Sequence, residues 1–240
     1  DSVGEPMTYP ELEKLVKLLS KSKHCSYISM QTNGTLLTKE KIDALIDAGL
    51  NRINLSLHSL DPEKAQKLAG AKFFDVKTLI SAEKYASKSE IELNLTPVWL
   101  PGVNDEDIVE LIDLAKELKC RISIQKYEVY KHSRRIRRAK PVNYWRFYEQ
   151  LKQWEKGYNG KLRVSKQDFN IIKAKKVEEP FTTGERVRVK LALPGWYDKE
   201  MVGIAKNRCI TVQNCEKKAG DSLNVKITEN KNQVYLGKEA

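Results

Sequence analysis

No stretch of this sequence approaches the roughly 18 to 20 consecutive apolar residues that a helix needs to cross a bilayer, which excludes a membrane-spanning helix. The opening residues, Asp1 followed closely by Gly4-Glu5-Pro6, lack the basic-then-apolar pattern of a secretory signal, so a cytoplasmic chain with no membrane partner is expected. Cysteine is scarce. The four present, Cys25, Cys120, Cys209 and Cys215, are spaced like neither a disulfide scaffold nor a zinc ribbon and read as reduced, mostly buried thiols; only Cys209 and Cys215 stay open as a metal pair. No fixed period recurs, which excludes a solenoid. Acid is in short supply too, 32 Asp and Glu against 43 Lys and Arg, and the resulting net charge of +11 points to a polyanionic partner. The densest basic cluster, Lys131 to Lys140, has no clean apolar face to lay on a lipid surface, so nucleic acid is the better match.

What is present is an alternation of helix and strand signals. Thr8 and Glu11 fit a capping box around Pro10, and Leu12, Leu15, Val16 and Leu19 follow at helical spacing. An apolar stretch, Tyr27 to Met30, ends in the turn signal Thr32-Asn33-Gly34. Thr38 caps a helix with Ile42, Leu45 and Ile46 on one face that stops at Gly49. Strand signals recur at Arg52 to Leu57, Ile91 to Val98 and Arg121 to Tyr127, with helices opening at Asp61-Pro62, near Asp75 and after Pro101-Gly102-Val103-Asn104. Helices between successive strands imply right-handed βαβ units and a parallel sheet. Asn143 to Tyr158 predicts a helix whose aromatic face, Tyr144, Tyr148, Leu151 and Tyr158, packs into the core.

From Glu185 the period changes to two. Val187, Val189 and Leu191; Val202 and Ile204; Ile210 and Val212; Leu223, Val225 and Ile227; and Val234 and Leu236 mark five short strands. The fold class expected is therefore α/β: a partial (β/α) TIM-like barrel of parallel strands over residues 1–179, then a small OB-like all-β barrel over residues 180–240, with the boundary near Pro180.

In a parallel α/β barrel the loops at the C-terminal strand ends carry the active-site groups. Gly4-Glu5-Pro6, Thr32-Asn33-Gly34, Ser56-Leu57-His58-Ser59 and Thr96-Pro97 fall in such places. Strand alternation puts Asn54, Ser56 and His58 on one face and Asn94 and Thr96 on one face of the next strand, which makes a polar mouth if those faces are interior.

These segments, taken in order over about residues 1–130, resemble the radical S-adenosylmethionine (SAM) superfamily, particularly its cofactor-maturing and activating branch. Gly4-Glu5-Pro6 is similar to the Gly-Gly-Glu-Pro segment whose backbone and Glu bind the methionine ammonium, with Val3 in place of the first Gly. Thr32-Asn33-Gly34 resembles the next strand end, and Ser56-Leu57-His58 a Ser-Leu-Asp in which Ser56 contacts the cofactor and His58 replaces the acid. Thr96 resembles a polar cofactor contact on the following strand. The resemblance implies a SAM site at Gly4, Glu5, Pro6, Asn33, Ser56, His58 and Thr96, a [4Fe-4S] cluster and an electron donor. The Cys-x3-Cys-x2-Cys that holds such a cluster does not occur in these residues, so its ligands, with a strand and a helix, are expected upstream of residue 1.

The last sixty residues resemble a TRAM domain, a small RNA-binding barrel, through Thr183-Gly184-Glu185-Arg186-Val187-Arg188-Val189, Gly220-Asp221-Ser222-Leu223-Asn224-Val225-Lys226-Ile227 and Val234-Tyr235-Leu236-Gly237. The resemblance implies RNA, tRNA or rRNA, as partner. Arg186, Arg188, Lys190, Lys206 and Arg208 would meet phosphates, Trp196 or Tyr197 would stack, and Arg134, Arg135, Arg137 and Arg138 would guide the substrate at the mouth. A small-molecule or polypeptide substrate, and a noncatalytic RNA-binding protein, stand as alternatives.

Overall fold

The computed structural model describes residues 4–70, 74–131, 133, 135–158, 160–169, 178–231 and 233–240. Contacts divide the chain into two compact units, Asp1–Tyr127 with Ile136–Phe169, and Glu128–Arg135 with Asn170–Ala240.

The first unit is built on four parallel strands in the order β1 (Ser29–Thr32), β2 (Arg52–Leu55), β3 (Glu92–Leu95) and β5 (Arg121–Ile122). A second parallel pair, β4 (Val98–Trp99) with β6 (Gln125–Lys126), continues the last two strands. The uninterrupted strands expected over Ile91 to Val98 and Arg121 to Tyr127 are thus each broken. Thr96-Pro97 interrupts the first, where Pro97 has no N–H for a ladder. Helix α1 (Leu12–Ser20) precedes β1, and α2 (Lys39–Ala48), α3 (Pro62–Ala69), α4 (Val76–Ala86) and α5 (Asp105–Glu117) connect the strands. Their apolar faces and the strands bury Ile42, Leu45, Ile53, Leu55, Leu95, Ile108 and Leu111 almost completely. Each such side chain contributes roughly 1.5–3 kcal/mol over leaving it in water.

Local chemistry sets most helix ends. Thr38, Asp61 and Asp75 accept the backbone N–H groups of Lys41, Lys64 and Lys77, and Gly49 ends α2 in the left-handed conformation. The capping box at Thr8 and Glu11 does not form. Thr8 Oγ1 donates instead to the carbonyl of Glu5, and α1 begins at Leu12 behind an uncapped Glu11. The first strand lies two residues beyond Tyr27 to Met30 and includes Gln31 and Thr32. Helix α6 (Tyr144–Glu155) lies within the expected Asn143 to Tyr158, capped by Asn143, but turns a different face inward. Phe147 and Leu151 are buried, and Trp99 packs on Phe147 and Trp154. Tyr144 and Tyr148, assigned to the core, are 61% and 47% exposed.

The second unit contains a closed five-stranded barrel, β7 (Arg186–Pro194), β8 (Met201–Ala205), β9 (Arg208–Gln213), β10 (Ser222–Lys231) and β11 (Val234–Glu239), paired in the order β10-β11-β9-β8-β7. Val189, Leu191, Ile210, Val212, Leu223, Val225 and Ile227 point inward as their alternation predicts. Two strands run in the opposite phase. In β8 Met201 and Gly203 face the core while Ile204 is 48% exposed, and in β11 Tyr235 and Gly237 do so while Val234 is 63% exposed. Glycine occupies the inner positions because the wall opposite leaves no room for a side chain. A Cβ on Gly203 would stand 2.9 Å from Val189 Cγ2, and one on Gly237 2.3 Å from Val225 Cγ1. Gly237→Ala is therefore expected to lower the barrel's stability by about 1 to 3 kcal/mol through overpacking, read by urea unfolding. An unchanged midpoint would contradict the contact.

Candidate functional site

The interior face of the parallel sheet carries polar side chains in one register. Gln31, Asn54 and Asn94 are direct partners across β1, β2 and β3. Asn94 Nδ2 donates to Asn54 Oδ1 at 2.9 Å, Ser123 Oγ donates to Asn94 Oδ1 at 2.9 Å, and Gln31 Nε2 donates to Ser56 Oγ at 3.2 Å. This ladder orders a polar floor. Of its members, Gln31 and Ser123 were not singled out from the sequence. Gln31 lay beyond the end expected for its strand, and Ser123 shows its role only through Asn94.

The strand ends above this floor are bonded to one another, with Ser56 N donating to Thr32 O at 2.9 Å and Thr96 N to Leu55 O at 2.8 Å. Glu5 braces the same rim from the Gly4-Glu5-Pro6 loop. Its Oε1 accepts from Thr32 Oγ1 at 2.6 Å and Met7 N at 3.0 Å, and its Oε2 from Asn33 N at 2.8 Å. Gly4, at φ +93°, turns the loop into this position. Asn33 spends its Oδ1 on the N–H of Thr35, closing a turn through Gly34. Gly34, at φ +77°, lies where a Cβ would meet Leu55 Cδ1 at 2.6 Å.

Thr96 is almost fully buried and its Oγ1 has no partner among the described residues. An orphaned hydroxyl is costly and fits a site that a polar ligand completes. His58 is anchored. Its Nδ1 accepts from Val98 N at 3.1 Å, and burial pushes its pKa down to about 4, so the ring is neutral near pH 7. Asn104, fully buried, donates from Nδ2 to the carbonyls of His58 at 3.2 Å and Val98 at 3.0 Å while its Oδ1 accepts from Leu100 N at 2.7 Å. The structure thus gathers Glu5, Asn33, Ser56, His58 and Thr96 along the C-terminal rim of one parallel sheet. A methionine-bearing nucleoside, with its ammonium, carboxylate and hydroxyls, suits that donor and acceptor set.

An iron-sulfur cluster has no ligands in the same place. No group of three or more His, Cys, Asp or Glu able to hold a metal occurs among the described residues, and Cys209 is exposed while Cys215 is buried. Burial pushes the Cys120 thiol up to about 12, far from the thiolate that binds iron. The described residues therefore do not fit a cluster.

On the second unit Arg186, Arg188 and Lys190 alternate along the outer face of β7, all exposed. Lys226 on β10 is the register partner of both Arg186 and Lys238 on β11, so three cations stand side by side across three strands. None of the five has an ion-pair partner among the described residues. Lys206 is engaged differently, donating to Glu185 at 3.0 Å and the carbonyl of Pro180 at 3.1 Å. Trp196 and Tyr197, 50% and 45% exposed, pack against Tyr130 at ring-centroid distances of 5.7 and 5.4 Å. The basic run is divided, with Lys131 to Arg135 in the second unit and Ile136 to Lys140 in the first. Arg135, Arg137 and Arg138 are exposed, and Arg134 lies outside the described residues. No helix among the described residues is long and apolar enough to cross a membrane.

Residues 2–115 match the radical SAM superfamily. An uncharacterized protein of Methanocaldococcus jannaschii is 34% identical over 98% of this chain and 60% of its own length. GTP 3',8-cyclase of Aquifex aeolicus is 35% identical over 52% of this chain and 38% of its own length. The chain thus spans three fifths or less of these relatives. Among solved structures, Streptococcus suis SuiB bound to S-adenosylmethionine superposes with a TM-score of 0.51 at 21% identity, over 64% of this chain and 34% of SuiB. The polar rim at the strand ends thus lies within the segment, residues 2–115, that matches the radical SAM superfamily.

Proposed function

We propose that the protein is a radical SAM enzyme whose substrate is RNA, tRNA or rRNA, gripped by the C-terminal barrel acting as a TRAM-like domain from about Pro180. The observation that carries the substrate is the row of unpaired cations Arg186, Lys226 and Lys238 across three paired strands, flanked by Arg188 and Lys190. Like charges in direct register repel, and a phosphate backbone laid across them relieves the repulsion.

In this reading Gly4 to Pro6, Asn33, Ser56, His58 and Thr96 would hold SAM, which together with a reduced [4Fe-4S] cluster would supply the radical chemistry of hydrogen abstraction. The chain's own part is to bind and orient. The backbone of Gly4 to Pro6, held by Glu5, meets the cofactor ammonium, and Ser56, Asn33 and Thr96 supply polar contacts. An electron donor completes the system. Arg134, Arg135, Arg137 and Arg138 steer the RNA.

The reading is tested by filter-binding titration of tRNA and rRNA fragments at two salt concentrations. Replacing Arg186, Arg188 and Lys190 with Ala is expected to weaken binding to many RNAs alike and to lower the slope of log affinity against log salt by about 2, for three phosphate contacts. Affinity that is negligible at low salt, or indifferent to the substitutions, would defeat the RNA reading. It would promote the small-molecule or polypeptide alternative, for which the similarity to a nucleotide cyclase speaks.

A further inference from the structure

Burial of Phe147 and Leu151, with Trp154 edge-on to Trp99, leaves α6 with a second aromatic stripe turned to solvent. Tyr144, Trp145 and Tyr148 are neighbours on one helical face, and all three are exposed. Trp145 is the most open, 74% exposed and without a ring contact among the described residues. Rings scattered singly over a surface are ordinary, but a contiguous patch of them marks an interaction site. The two tyrosines are held in place. Their rings stand 28° apart with centroids at 6.4 Å, Lys126 Nζ lies over Tyr144 at 4.8 Å, and buried Phe147 meets Tyr148 edge-on at 5.4 Å. A ligand therefore meets rings that are already ordered, with little side-chain entropy left to lose.

Charge along the stripe decides what kind of partner it fits. Lys152 and Lys156, both exposed, continue the four-residue step that joins Tyr144 to Tyr148, and Lys140, shortly before the helix, is exposed as well. Of the two acids on α6, Glu155 is committed to the Arg163 guanidinium and to the amides of Leu162 and Arg163, which leaves the half-buried Glu149 as the acid beside the stripe. An apolar protein surface would desolvate these ammonium groups without pairing them, whereas a nucleic-acid strand offers bases to the rings and phosphates to the cations.

We infer that this stripe of α6, Tyr144, Trp145 and Tyr148 with Lys152 and Lys156, is a stacking platform for unpaired nucleotides of an RNA strand. Bases inside a duplex stack on one another and present no face to a side-chain ring, so the platform takes loops, bulges or ends and not helical stems. Resting on the RNA reading, the assignment adds which part of the RNA is held, since the barrel cations meet the phosphate backbone of any RNA.

The experiment titrates the full chain into a fluorescently labelled, unstructured RNA of about 12 nucleotides and into a duplex of the same length, at two salt concentrations. W145A is expected to weaken single-strand binding about five- to a hundredfold with the salt slope unchanged, because stacking releases no counterions, and to leave duplex binding within about twofold. W145F, which keeps a ring, should recover most of the loss, and an unshifted urea midpoint verifies that both variants fold. W145A that binds the single strand as wild type does, or that loses single-strand and duplex affinity equally, would overturn the platform; the RNA reading would stand if replacing Arg186, Arg188 and Lys190 still weakens binding. Wild type that binds neither RNA at low salt removes the RNA reading and the platform with it. Sedimentation in which wild type self-associates and W145A does not, with RNA binding alike in both, would assign the stripe to a second copy of the chain instead.

Discussion

Asn104→Ala is expected to destabilise the first unit by about 2 to 4 kcal/mol, measured as a shift in the urea midpoint at constant slope. The side chain is fully buried and makes three hydrogen bonds, to the carbonyls of His58 and Val98 and from the amide of Leu100. Removing it orphans three main-chain groups that water cannot easily reach, and each such group costs about 1 to 3 kcal/mol, less than additively when they share a cavity. Asn104→Asp separates hydrogen bonding from packing. Nearly the same shape, it keeps the acceptor for Leu100 N but turns a carboxylate oxygen toward two carbonyls, so it should be at least as damaging as Ala. An Asp variant as stable as the wild type would show that the clamp does not hold the two loops. The same variants should release His58, seen as a change in its nitrogen-15 NMR signals, because its Nδ1 anchor on Val98 N depends on the loop position.

The second large effect is expected at Glu83, on the buried face of α4. Its side chain is completely buried, neither carboxylate oxygen has a hydrogen-bond partner among the described residues, and desolvation raises its pKa from 4.5 to about 8. In the unfolded chain this group ionises near its ordinary value, so between pH 4.5 and about 8 the unfolded state has lost a proton that the folded state keeps. Stability from this residue is therefore fully present below the unfolded value and falls as pH rises through that window. At pH 7 the cost amounts to about 3 kcal/mol. Glu83→Met, similar in volume and without charge, should remove this slope. The variant should gain little at pH 5 and about 2 to 3 kcal/mol over the wild type near pH 7 to 8. Parallel pH profiles for the two proteins would mean that Glu83 is hydrated or paired in solution.

How much of the site was readable in advance differs from residue to residue. Ser56, His58, Asn94 and Thr96 were locatable because alternation along a strand is a local rule, and the Asn54–Asn94 bond joins two positions that rule had put on interior faces. Glu5 was recognisable as a loop residue, whereas its brace to Thr32 and Asn33 spans a sequence separation of nearly thirty residues and exists only because β1 and the loop meet in space. Asn104 read as a turn residue. Its second partner, His58, lies forty-six residues away, and nothing local announces it.

By itself the sequence determined the cap at Thr38, the helix starts at Asp61, Asp75 and Asn143, the left-handed stop at Gly49, the order of strands and helices, and the five-strand barrel. Those features depend on interactions a few residues apart or on simple periodicity. Tertiary structure alone decided which face of α6 is buried, because aromatic residues surround that helix and two stripes share Leu151; docking against Trp99 selects Phe147, Leu151 and Trp154 over Tyr144 and Tyr148. It likewise set the phase of β8 and β11, where the closeness of Val189 and Val225 admits only Gly203 and Gly237 inside and sends Ile204 and Val234 outward. Hydrophobicity ranks what prefers to be buried, but the space between opposed walls determines what fits.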